Sequence, residues 1–529
     1  MQKDSYSFSE FGFSSQIIQD LVSKNSKVNP FVDYFFSDKN IENQFNKKNF
    51  NCDDRLKLHN SLVKQNKSIT LNLKSKTNID LLKNDNTYTI TTGHQLNFLT
   101  GPLYAIYKII QIINWTEKLN KTYPHQHFVP IFWMATEDHD FEEINHIHLF
   151  NSKIEIEAEN QQNYIAGEIV PSNFESVKLE ILEKFSDETL KTKIEQFINY
   201  YKNNNLAQAT RGLLNELFGK YGLVIIDGND HALKKSFLPI IKQEIKHQVT
   251  FNSVSKTNIE LENSGYHNQV FLRECNLFYI ENEKVRHRII KTEKGFEINH
   301  QDFTANQLIE EAEKHPERFS PNALMRPLYQ ETILPNLVYF GGGGEIAYWL
   351  QLNNLFKTLN LTYPLLRVRD SYILLNQKDF DLLNKFKYSV LDLKQNIDDL
   401  LKIFVKNNAT SDIQMNDEIE FFNKMKQSLT SKVEKKDIGL QRFIEGELVR
   451  IENTLDKIEK KLIQNEKKHQ EKTLKQIQKL RDKIYPKNGF QERYENFLQY
   501  AYQPDFINNL KKEAEQYLTE QPQIKVVEV

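Results

Sequence analysis

Two apolar runs that each end abruptly in polar residues constrain the fold of this chain more than any other feature. The run Tyr88–Thr92 is rich in β-branched residues and is followed by Gly93, and the run Phe128–Ala135 leads into an acidic cluster. Between them, apolar residues recur at helical spacing after Pro102, a residue suited to a first helical turn. This order is typical of a parallel βαβ unit, whose strand C-terminal ends lie side by side and bind ligands. We therefore expect both strand ends to contribute to one site.

The turn after the first strand is a candidate anion site. Gly93, Gly101 and the free N–H groups of the helix that starts near Pro102 suit a phosphate or a carboxylate, because helix N-termini carry unpaired donors and a positive dipole end. A tight turn that binds no ligand is the alternative interpretation.

The turn after the second strand carries six titratable side chains within seven residues, namely Glu137, Asp138, His139, Asp140, Glu142 and Glu143. Such groups repel one another unless a cation, a ligand or solvent offsets their charge. A substrate ammonium held by the carboxylates is one hypothesis, with His139 available for proton transfer. A divalent metal is another, with Asp138, His139, Asp140, His146 and His148 as chemically competent ligands. A solvated acidic loop is the third. The chain contains no established zinc motif, and we expect no permanent metal.

Composition and charge exclude several classes of protein. The chain has 529 residues, 39% of them hydrophobic, which suffices for a large core, and its formal charge of −2 gives no support for a nucleic-acid partner. No apolar run approaches membrane length, and no basic and apolar leader follows Met1, so we expect no membrane partner and a cytoplasmic protein. Cys52 and Cys275 match no metal or redox spacing, which fits a reducing compartment.

Apolar runs further along the chain extend the predicted sheet. Gly222–Asp227 is a third buried strand, and Asn336–Phe340 is a fourth that leads into the glycines Gly341–Gly344. Alternation at Val270/Leu272, Phe278/Ile280 and Arg286/Arg288/Ile290 predicts antiparallel strands in an inserted region. The chain is thus predicted to be an α/β protein with a parallel-sheet core. Its predicted divisions are 1–150 (N-terminal helical cover and first half of the core), 151–211 (helical insertion), 212–256 (core continued), 257–320 (insertion with antiparallel strands), 321–376 (second half of the core), 377–485 (helical coiled coil) and 486–529 (segment returning toward the core).

The second glycine turn adds candidate binding residues. Gly341–Gly344 allows close approach of a ligand to the backbone, although it matches no phosphate-loop or dinucleotide motif. Glu345 suits either a ligand or the helix dipole. Arg326 and Arg369 are able to hold a carboxylate or phosphate, or to serve a structural ion pair.

The C-terminal third is predicted to form a coiled coil. Apolar residues follow one another at gaps of four and three from residue 444, and the phase weakens at Asn465 and His469 before it resumes. A homodimer through this seam is the sharper interpretation, and packing within one chain is the alternative. The seam consists of Ile444, Leu448, Ile451, Leu455, Ile458 and Leu462.

Eight segments of the chain are informative when they are taken together and in order: Thr92–Gln95, Gly101–Tyr104, Phe132–Asp140, Glu143–Asn145, Arg326–Gln330, Gly341–Trp349, Arg369–Ser371 and Asn488–Arg493. Together they resemble the bacillithiol biosynthesis cysteine-adding enzymes, and the resemblance spans almost the whole chain. It implies a Rossmann-like core with two connecting insertions and a dimerising C-terminal coiled coil. It also implies an activity, the joining of the cysteine carboxyl to the glucosamine amine of glucosaminyl malate.

In the working hypothesis that follows, Asp138 and Asp140 act with His139 as the catalytic group. Asp138, Asp140 and Glu143 hold an ammonium or a sugar hydroxyl, and His139 accepts the proton of the attacking amine. Arg326 and Arg369 bind malate or phosphate oxygens. The predicted substrate-binding residues are Gly93, His94, Gln95, Gly101, Tyr104, Glu143, Asn145, Arg326, Gln330, Gly342, Gly343, Glu345, Tyr348, Arg369 and Asp370.

Amide formation from a free carboxylate is uphill in water, and ATP with Mg²⁺ is therefore the hypothesis for its activation. The sequence does not show which acyl intermediate forms. Asn488, Gln491 and Arg493 are weak candidates for nucleotide binding. Two other functions stay open, a metal-dependent hydrolase or deacetylase acting through Asp138, His139, Asp140 and His146, and a coiled-coil scaffold without enzymatic activity.

Overall fold

The structure is a computed structural model. It describes residues 5–12, 14–161, 163–409, 415–434, 436–516 and 518–529. Its chain divides into two compact units. The larger unit, called the core unit, contains residues 5–373 and Glu492–Val527, and the smaller one, called the coiled-coil unit, contains Leu374–Gln491.

The described residues form the following strands: β1 (Ser5–Ser7), β2 (Thr87–His94), β3 (His127–Met134), β4 (His146–Leu149), β5 (Ser152–Glu155), β6 (Val224–Asp227), β7 (Leu277–Glu281), β8 (Val285–Arg288), β9 (Ile290–Thr292), β10 (Gly295–Ile298), β11 (Gln301–Phe303), β12 (Phe319–Pro321), β13 (Asn336–Gly341), β14 (Leu365–Val368), β15 (Ser371–Leu375) and β16 (Gln523–Glu528).

The α-helices of the described residues are α1 (Phe8–Phe11), α2 (Gln16–Val22), α3 (Asp38–Lys47), α4 (Cys52–Gln65), α5 (Leu73–Leu81), α6 (Tyr104–Thr122), α7 (Phe141–Ile144), α8 (Phe174–Glu183), α9 (Glu188–Ile198), α10 (Leu206–Phe218), α11 (His231–His247), α12 (Val249–Asn263), α13 (Ala305–Lys314), α14 (Arg326–Ile333), α15 (Gly343–Trp349), α16 (Asn353–Thr358), α17 (Gln377–Phe386), α18 (Ile397–Asn407), α19 (Asn416–Val433), α20 (Ile438–His469), α21 (Glu471–Ile484) and α22 (Phe506–Glu515).

A five-stranded sheet with the order β14-β13-β2-β3-β6 forms the centre of the core unit. All four neighbouring pairs are parallel, and Gly93 of β2 lies opposite Trp133 of β3. The predicted α/β class with a parallel-sheet core is therefore confirmed, and β2, β3, β6 and β13 are the four strands that the sequence predicted. The edge strand β14 was not predicted, because Arg367 interrupts its short apolar run.

Helix α6 connects β2 to β3 and packs against both strands. Every residue from Ala105 to Thr116 is buried, which explains why its sequence is apolar on nearly all sides rather than on one stripe. Because the helix is enclosed, its one lysine in that stretch, Lys108, is buried as well. This lysine lies close to the end of β2, as described below.

The inserted regions of the core unit are antiparallel. Strand β7 pairs with both β8 and β12, and β10 pairs with both β9 and β11. The strand predicted at Val270 and Leu272 is wrong, since residues 266–276 contain no strand. The backbone N–H groups of Gln269 and Val270 donate instead to the side chain of Gln351, at 3.2 and 3.1 Å. The side chain of Gln351 thus accepts the backbone hydrogen bonds that a neighbouring strand would have accepted.

The coiled-coil unit is helical from α17 to α21. Helix α19 packs against α20, and α18 packs against α20 and α21. The predicted weakening of the heptad phase corresponds to a break, because α20 ends at His469 and α21 begins at Glu471. Within the unit, Leu448 and Ile463 are buried, whereas Phe443, Ile451 and Ile458 are exposed.

In the described part of the chain, no helix has the length and apolar character required to cross a membrane.

Candidate functional site

Three adjoining cavities lie at the carboxyl ends of the central strands. The central cavity, of about 300 Å³, is lined by residues that follow β2, β3, β13 and β14, including Gly93, Asp138, Gly342 and Arg369. It shares Asp138 and Arg326 with a second space of about 290 Å³, called the arginine cavity, which is lined also by His139, Phe278 and the arginines Arg273, Arg286 and Arg288. It shares Gln95, Tyr104 and Arg493 with a third of about 320 Å³, called the side cavity, which adds Glu143, His146, His148 and Tyr494.

A buried ion pair forms one wall of the central cavity. The Nζ atom of Lys108 donates to the carbonyl of Gly93 at 2.9 Å and forms a salt bridge with Glu345. Glu345 also accepts from the backbone N–H of Gly342 at 2.8 Å and from the hydroxyl of Tyr339 at 3.3 Å. Burial works to raise the pKa of Glu345, but the charge and the hydrogen bond of Lys108, together with the N–H of Gly342, outweigh it and hold that pKa below its usual range. The carboxylate is therefore ionised, and it ties the ends of β2 and β13 together through α6.

Asp138 is the carboxylate that the central and arginine cavities share. Its Oδ2 accepts from Nε2 of Gln95 at 2.8 Å, and its Oδ1 accepts from the backbone N–H of His139 at 2.9 Å. Burial works to raise its pKa, but the hydrogen bond from Gln95 and the charges of Arg326 and Arg286 outweigh it, so that the pKa lies below its usual value. Asp138 is therefore a fixed negative charge between the two cavities.

His139 faces the arginine cavity. Burial, followed by the charge of Arg286, lowers its pKa from the usual 6.5, while Asp138 acts in the opposite direction. The imidazole is therefore neutral at physiological pH. Nη1 of Arg286 lies 3.3 Å from Nδ1 of His139, and a guanidinium has no acceptor atom. Nδ1 is accordingly the acceptor, and the ring proton belongs on Nε2.

The two arginines that the sequence singled out differ in whether a carboxylate already pairs with the guanidinium group. Burial works to lower the pKa of Arg326, but Tyr348 and Asp138 outweigh it and raise that pKa, so the guanidinium between the central and arginine cavities is charged. The guanidinium of Arg369 is held by Glu492 in a bidentate pair, with N···O distances of 2.7 and 2.5 Å. Arg369 therefore positions Glu492, whereas Arg326 faces the cavity without such a carboxylate fork.

His94 and Tyr104 close the wall beside this pair, with ring centroids 5.1 Å apart. Burial, followed by the charge of Lys108, lowers the pKa of His94 to about 3, and His94 is therefore neutral. Burial, followed by Glu345, raises the pKa of Tyr104 to about 12. The guanidinium of Arg493 lies 6.0 Å from the centre of the Tyr104 ring and lines both the central and the side cavity.

Most of the predicted site residues therefore meet in one place. The side cavity contains Glu143, whose Oε2 accepts from Gln95 at 3.0 Å, and the arginine cavity contains His139. The central cavity is lined by Gly93, His94, Gln95, Tyr104, Asp138, Arg326, Gln330, Gly342, Gly343, Glu345, Tyr348, Arg369 and Arg493.

Four predicted residues of the core unit do not line these three cavities. Asp140 is exposed at the start of α7, and Asn145 bonds through Oδ1 to His146 at 3.0 Å. Asp370 is buried and accepts from Gln111 and from the backbone N–H of Gln523. Gly101 is the fourth, and the turn in which it lies explains why this position requires glycine.

Gly101 closes a turn that only glycine fits. Its φ is +62°, and an added Cβ would lie 2.6 Å from Cβ of Asn97. Asn496 donates to the carbonyl of Gly101 at 2.7 Å, and the N–H of Leu103 donates to Glu495 at 2.9 Å. The segment around Asn496 thus uses groups of the turn that the sequence had suggested for an anion.

Asn488 and Gln491 belong to the coiled-coil unit, where their side chains make local bonds. Arg481 donates to Oδ1 of Asn488 at 2.5 Å. Gln491 accepts from the backbone N–H of Leu374 at 2.7 Å and donates to its carbonyl at 3.0 Å. These contacts give both residues a structural role within that unit.

The donors suggested for a metal do not converge. Among the described residues, no three or more His, Cys, Asp or Glu side chains are arranged so that they would hold a metal ion. Of the two cysteines, Cys52 is exposed and Cys275 is buried, and neither forms a disulfide. Burial, followed by Glu244, raises the pKa of Cys275 to about 12, so this thiol of the arginine cavity stays protonated.

Sequence reasoning missed Lys108 and the three arginines of the arginine cavity as site residues. A lysine between Tyr107 and Ile109 in a helix that is otherwise apolar was a usable signal, because a buried lysine requires a partner. Arg286 and Arg288 were noted only as part of a strand pattern. Nothing in that local pattern indicated that they lie near His139.

Comparison with known proteins gives the family. Residues 1–370 match the family model described as bacillithiol biosynthesis BshC, N-terminal Rossmann-like domain, and residues 372–526 match the model of the BshC C-terminal coiled-coil domain. The chain belongs to the BshC family. A Flavobacterium johnsoniae protein named "Putative cysteine ligase BshC" is 38% identical over 94% of this chain and 95% of its own length. The Flavobacterium psychrophilum protein of that name is 38% identical over 94% of each chain, and the Christiangramia forsetii one is 35% identical over 97% of each. The Rossmann-like core and the coiled coil expected from the resemblance are confirmed.

Proposed function

We propose that this BshC-family enzyme joins the carboxyl of cysteine to the amine of glucosaminyl malate, a ligase reaction that forms bacillithiol. Family membership and the names of the relatives support a cysteine ligase of bacillithiol biosynthesis. The observation that carries the assignment of the site is the position of Asp138, an ionised carboxylate between two cavities, with a neutral imidazole on one side and a charged guanidinium beside it.

In the proposed reaction, Asp138 holds the ammonium of a substrate or a sugar hydroxyl. A carboxylate already fixed by Gln95 and the His139 N–H loses little conformational freedom when it binds a cation. Glu143, which bonds to the same amide of Gln95, provides a second carboxylate toward the side cavity. Asp140 is retained as a weaker candidate because its charge acts on His139 from the surface.

His139 is proposed to accept the proton that the glucosamine amine loses as it attacks the acyl carbon. A neutral imidazole with a depressed pKa has its lone pair available at neutral pH. In the present arrangement that lone pair faces Arg286. Proton acceptance at Nδ1 therefore requires Arg286 to turn to another partner.

Arg326 is proposed to bind carboxylate or phosphate oxygens in the central cavity. Arg369 lines the same cavity, but its guanidinium is already paired with Glu492. ATP with Mg²⁺ is proposed to supply the activation of the cysteine carboxylate. Of the three candidates for nucleotide binding, Arg493 is the most suitable, because its exposed guanidinium lines two cavities. The side chains of Asn488 and Gln491 make bonds within the coiled-coil unit.

The coiled-coil unit is proposed to form a homodimer, and the enzyme to act in the cytoplasm. The support for the dimer is an exposed apolar surface, called the apolar face, that consists of Phe421, Phe443, Ile451, Ile458 and Leu462. Apolar groups of this size on a helical pair are typical of a protein interface.

The metal-dependent hydrolase is not favoured by the arrangement of donors, since Asp138, His139, Asp140 and His146 are not grouped as ligands in the described structure.

The test is a reconstituted reaction with purified chain, cysteine, glucosaminyl malate, ATP and Mg²⁺, followed by thiol alkylation and mass spectrometry. We expect bacillithiol to form in a manner that depends on every component. The companion experiment compares the low-molecular-weight thiols of the source cell with and without this gene. Loss of bacillithiol with accumulation of glucosaminyl malate is the expected result, and an unchanged thiol profile would reject the ligase assignment.

A further inference from the structure

The proposed reaction gives a substrate-binding role to only one arginine of the arginine cavity, Arg326, and leaves the positive charge of the others unassigned. Four arginines line it, namely Arg273, Arg286, Arg288 and Arg326, together with the acidic residues Glu137 and Asp138. Glu137 is already paired with the buried Lys234. Asp138 is thus the one lining carboxylate that is not shared with a lysine among the described residues, against four guanidinium groups.

These guanidinium groups repel one another. Burial, opposed by Glu137 and Asp138, lowers the pKa of Arg286 to about 10, and the charges of Arg326 and Arg288 lower it further. Burial and then the charge of Arg273 lower the pKa of Arg288. Like charges held together in this way are stabilised when an anion enters.

Aromatic rings hold the arginines in place. The guanidinium carbons of Arg286 and Arg288 lie 3.9 and 5.2 Å from the centre of the Phe278 ring, and that of Arg273 lies 5.2 Å from the ring of Phe271. Stacking of this kind fixes the plane of a guanidinium while its N–H groups stay free to donate.

Arg286 also has an unused buried donor. Its Nη2 donates to the carbonyl of Pro321 at 3.0 Å and its Nη1 to His139 at 3.3 Å. Its buried Nε has no hydrogen-bond partner among the described residues. A buried donor without a partner is costly, and a ligand oxygen would remove that cost.

We infer that the arginine cavity is the subsite for the malate carboxylates of the acceptor, bound by Arg273, Arg286 and Arg288. This inference rests on the proposed function. Two carboxylates match a cluster of planar guanidinium groups, each of which is able to bind a carboxylate through two parallel hydrogen bonds. The sugar of the same substrate then lies toward Asp138 and His139, where its amine reacts.

Binding of malate also prepares His139. A carboxylate is a stronger acceptor for Arg286 than a neutral imidazole is. When Arg286 turns to the carboxylate, Nδ1 of His139 loses its donor and becomes free to accept a proton. The acceptor substrate thereby completes the site that consumes its amine.

The experiment measures binding of two ligands by isothermal titration calorimetry to the full-length protein. One is glucosaminyl malate, and the other is methyl glucosaminide, which has the same sugar and no carboxylate. The variants are Arg273→Gln and Arg288→Gln, chosen because these side chains are accessible to solvent, and the matched control is Arg318→Gln. Arg318 belongs to the same unit, bonds to Glu311 at 2.7 Å and does not line the cavity.

We expect the wild type and the Arg318→Gln control to prefer glucosaminyl malate. Each cavity variant should bind it roughly 10-fold more weakly, with the affinity for methyl glucosaminide unchanged. Equal affinity for both ligands in the wild type, or a preference that survives in both variants, would overturn the inference. Failure of the proposed function would give a different result. The wild type would still prefer glucosaminyl malate and the cavity variants would still lose that preference, but no cysteinyl product would form.

Discussion

The central cavity of the core unit and the long helices of the coiled-coil unit differ in how deeply their ion pairs are buried. Around the central cavity, Lys108 and Glu345 have side chains that are 2% and 27% exposed. In the coiled coil, Lys426 and Glu452 are 40% and 52% exposed. Burying a charge is costly, and removing the partner of a buried charge costs more, whereas exposed pairs contribute little to stability. The fold therefore depends on the pair at the central cavity more than on the pair in the coiled coil.

The largest effect should come from breaking the buried pair. Lys108→Met leaves Glu345 without its cation in a closed environment, and we expect the free energy of unfolding to fall by about 3–5 kcal/mol. The measurement is urea denaturation followed by circular dichroism. The matched change in the other unit, Lys426→Met, should cost less than about 1 kcal/mol. Similar losses in both variants would remove the distinction between the two units.

The next largest effect concerns Asp138. Asp138→Asn keeps the shape of the side chain and removes its charge, and we expect turnover to fall roughly 100-fold or more while the melting temperature changes little. The assay is bacillithiol formation at saturating substrates. Asp302→Asn, an exposed change in β11, is the control and should retain wild-type turnover. Wild-type turnover in Asp138→Asn would show that the carboxylate between the two cavities has no part in the reaction.

A charge placed on the apolar face of the coiled coil should weaken the association of two chains. Ile451→Glu and Ile458→Glu place a carboxylate on exposed apolar positions, and each should weaken the proposed dimer by about 2 kcal/mol, or roughly 30-fold. Light scattering at a series of protein concentrations measures this. Asn453→Glu, on the opposite side of α20, should leave association unchanged. A chain that is monomeric before any substitution would mean that the apolar face does not mediate a homodimer.

The smallest effect is a shift in pH dependence. Because burial and the charge of Arg286 lower the pKa of His139 below its usual 6.5, its imidazole becomes protonated at a lower pH than an ordinary histidine does. We therefore expect kcat/KM to be constant near neutrality and to fall a few-fold on the acidic side, below pH 6.5. His139→Gln should abolish this acidic limb and lower the rate at all pH values. A limb that persists in the variant would assign the titration to another group.

Much of this architecture could be predicted because the relevant signals are local. The β-branched run of β2, the helical spacing of α6 and the apolar run of β3 each depend on neighbouring residues alone. Their order then fixes a parallel arrangement, since a helix between two strands returns the chain to the same edge of the sheet. That Gly93 and Asp138 line one cavity follows from that rule.

Local signals also misled where a side chain provided the hydrogen bonds. The alternation at Val270 and Leu272 is that of a strand, yet Gln351 bonds to the backbone there. The glycine turn before α6 has the composition of an anion site, yet the segment around Asn496 occupies it. In both cases the partner lies far along the chain, and no pattern within the segment identifies it.

The sequence by itself determined the class of the fold, the edge of the sheet where the site lies and the heptad seam of α20, because each follows from short-range periodicity. Tertiary structure alone decided that Lys108 pairs with Glu345 and that Arg286 lies 3.3 Å from His139, although 147 positions separate these two residues. The physical reason is that burial and pairing of charges depend on which distant elements pack together. A charged residue in a sequence has no assigned partner until the fold supplies one.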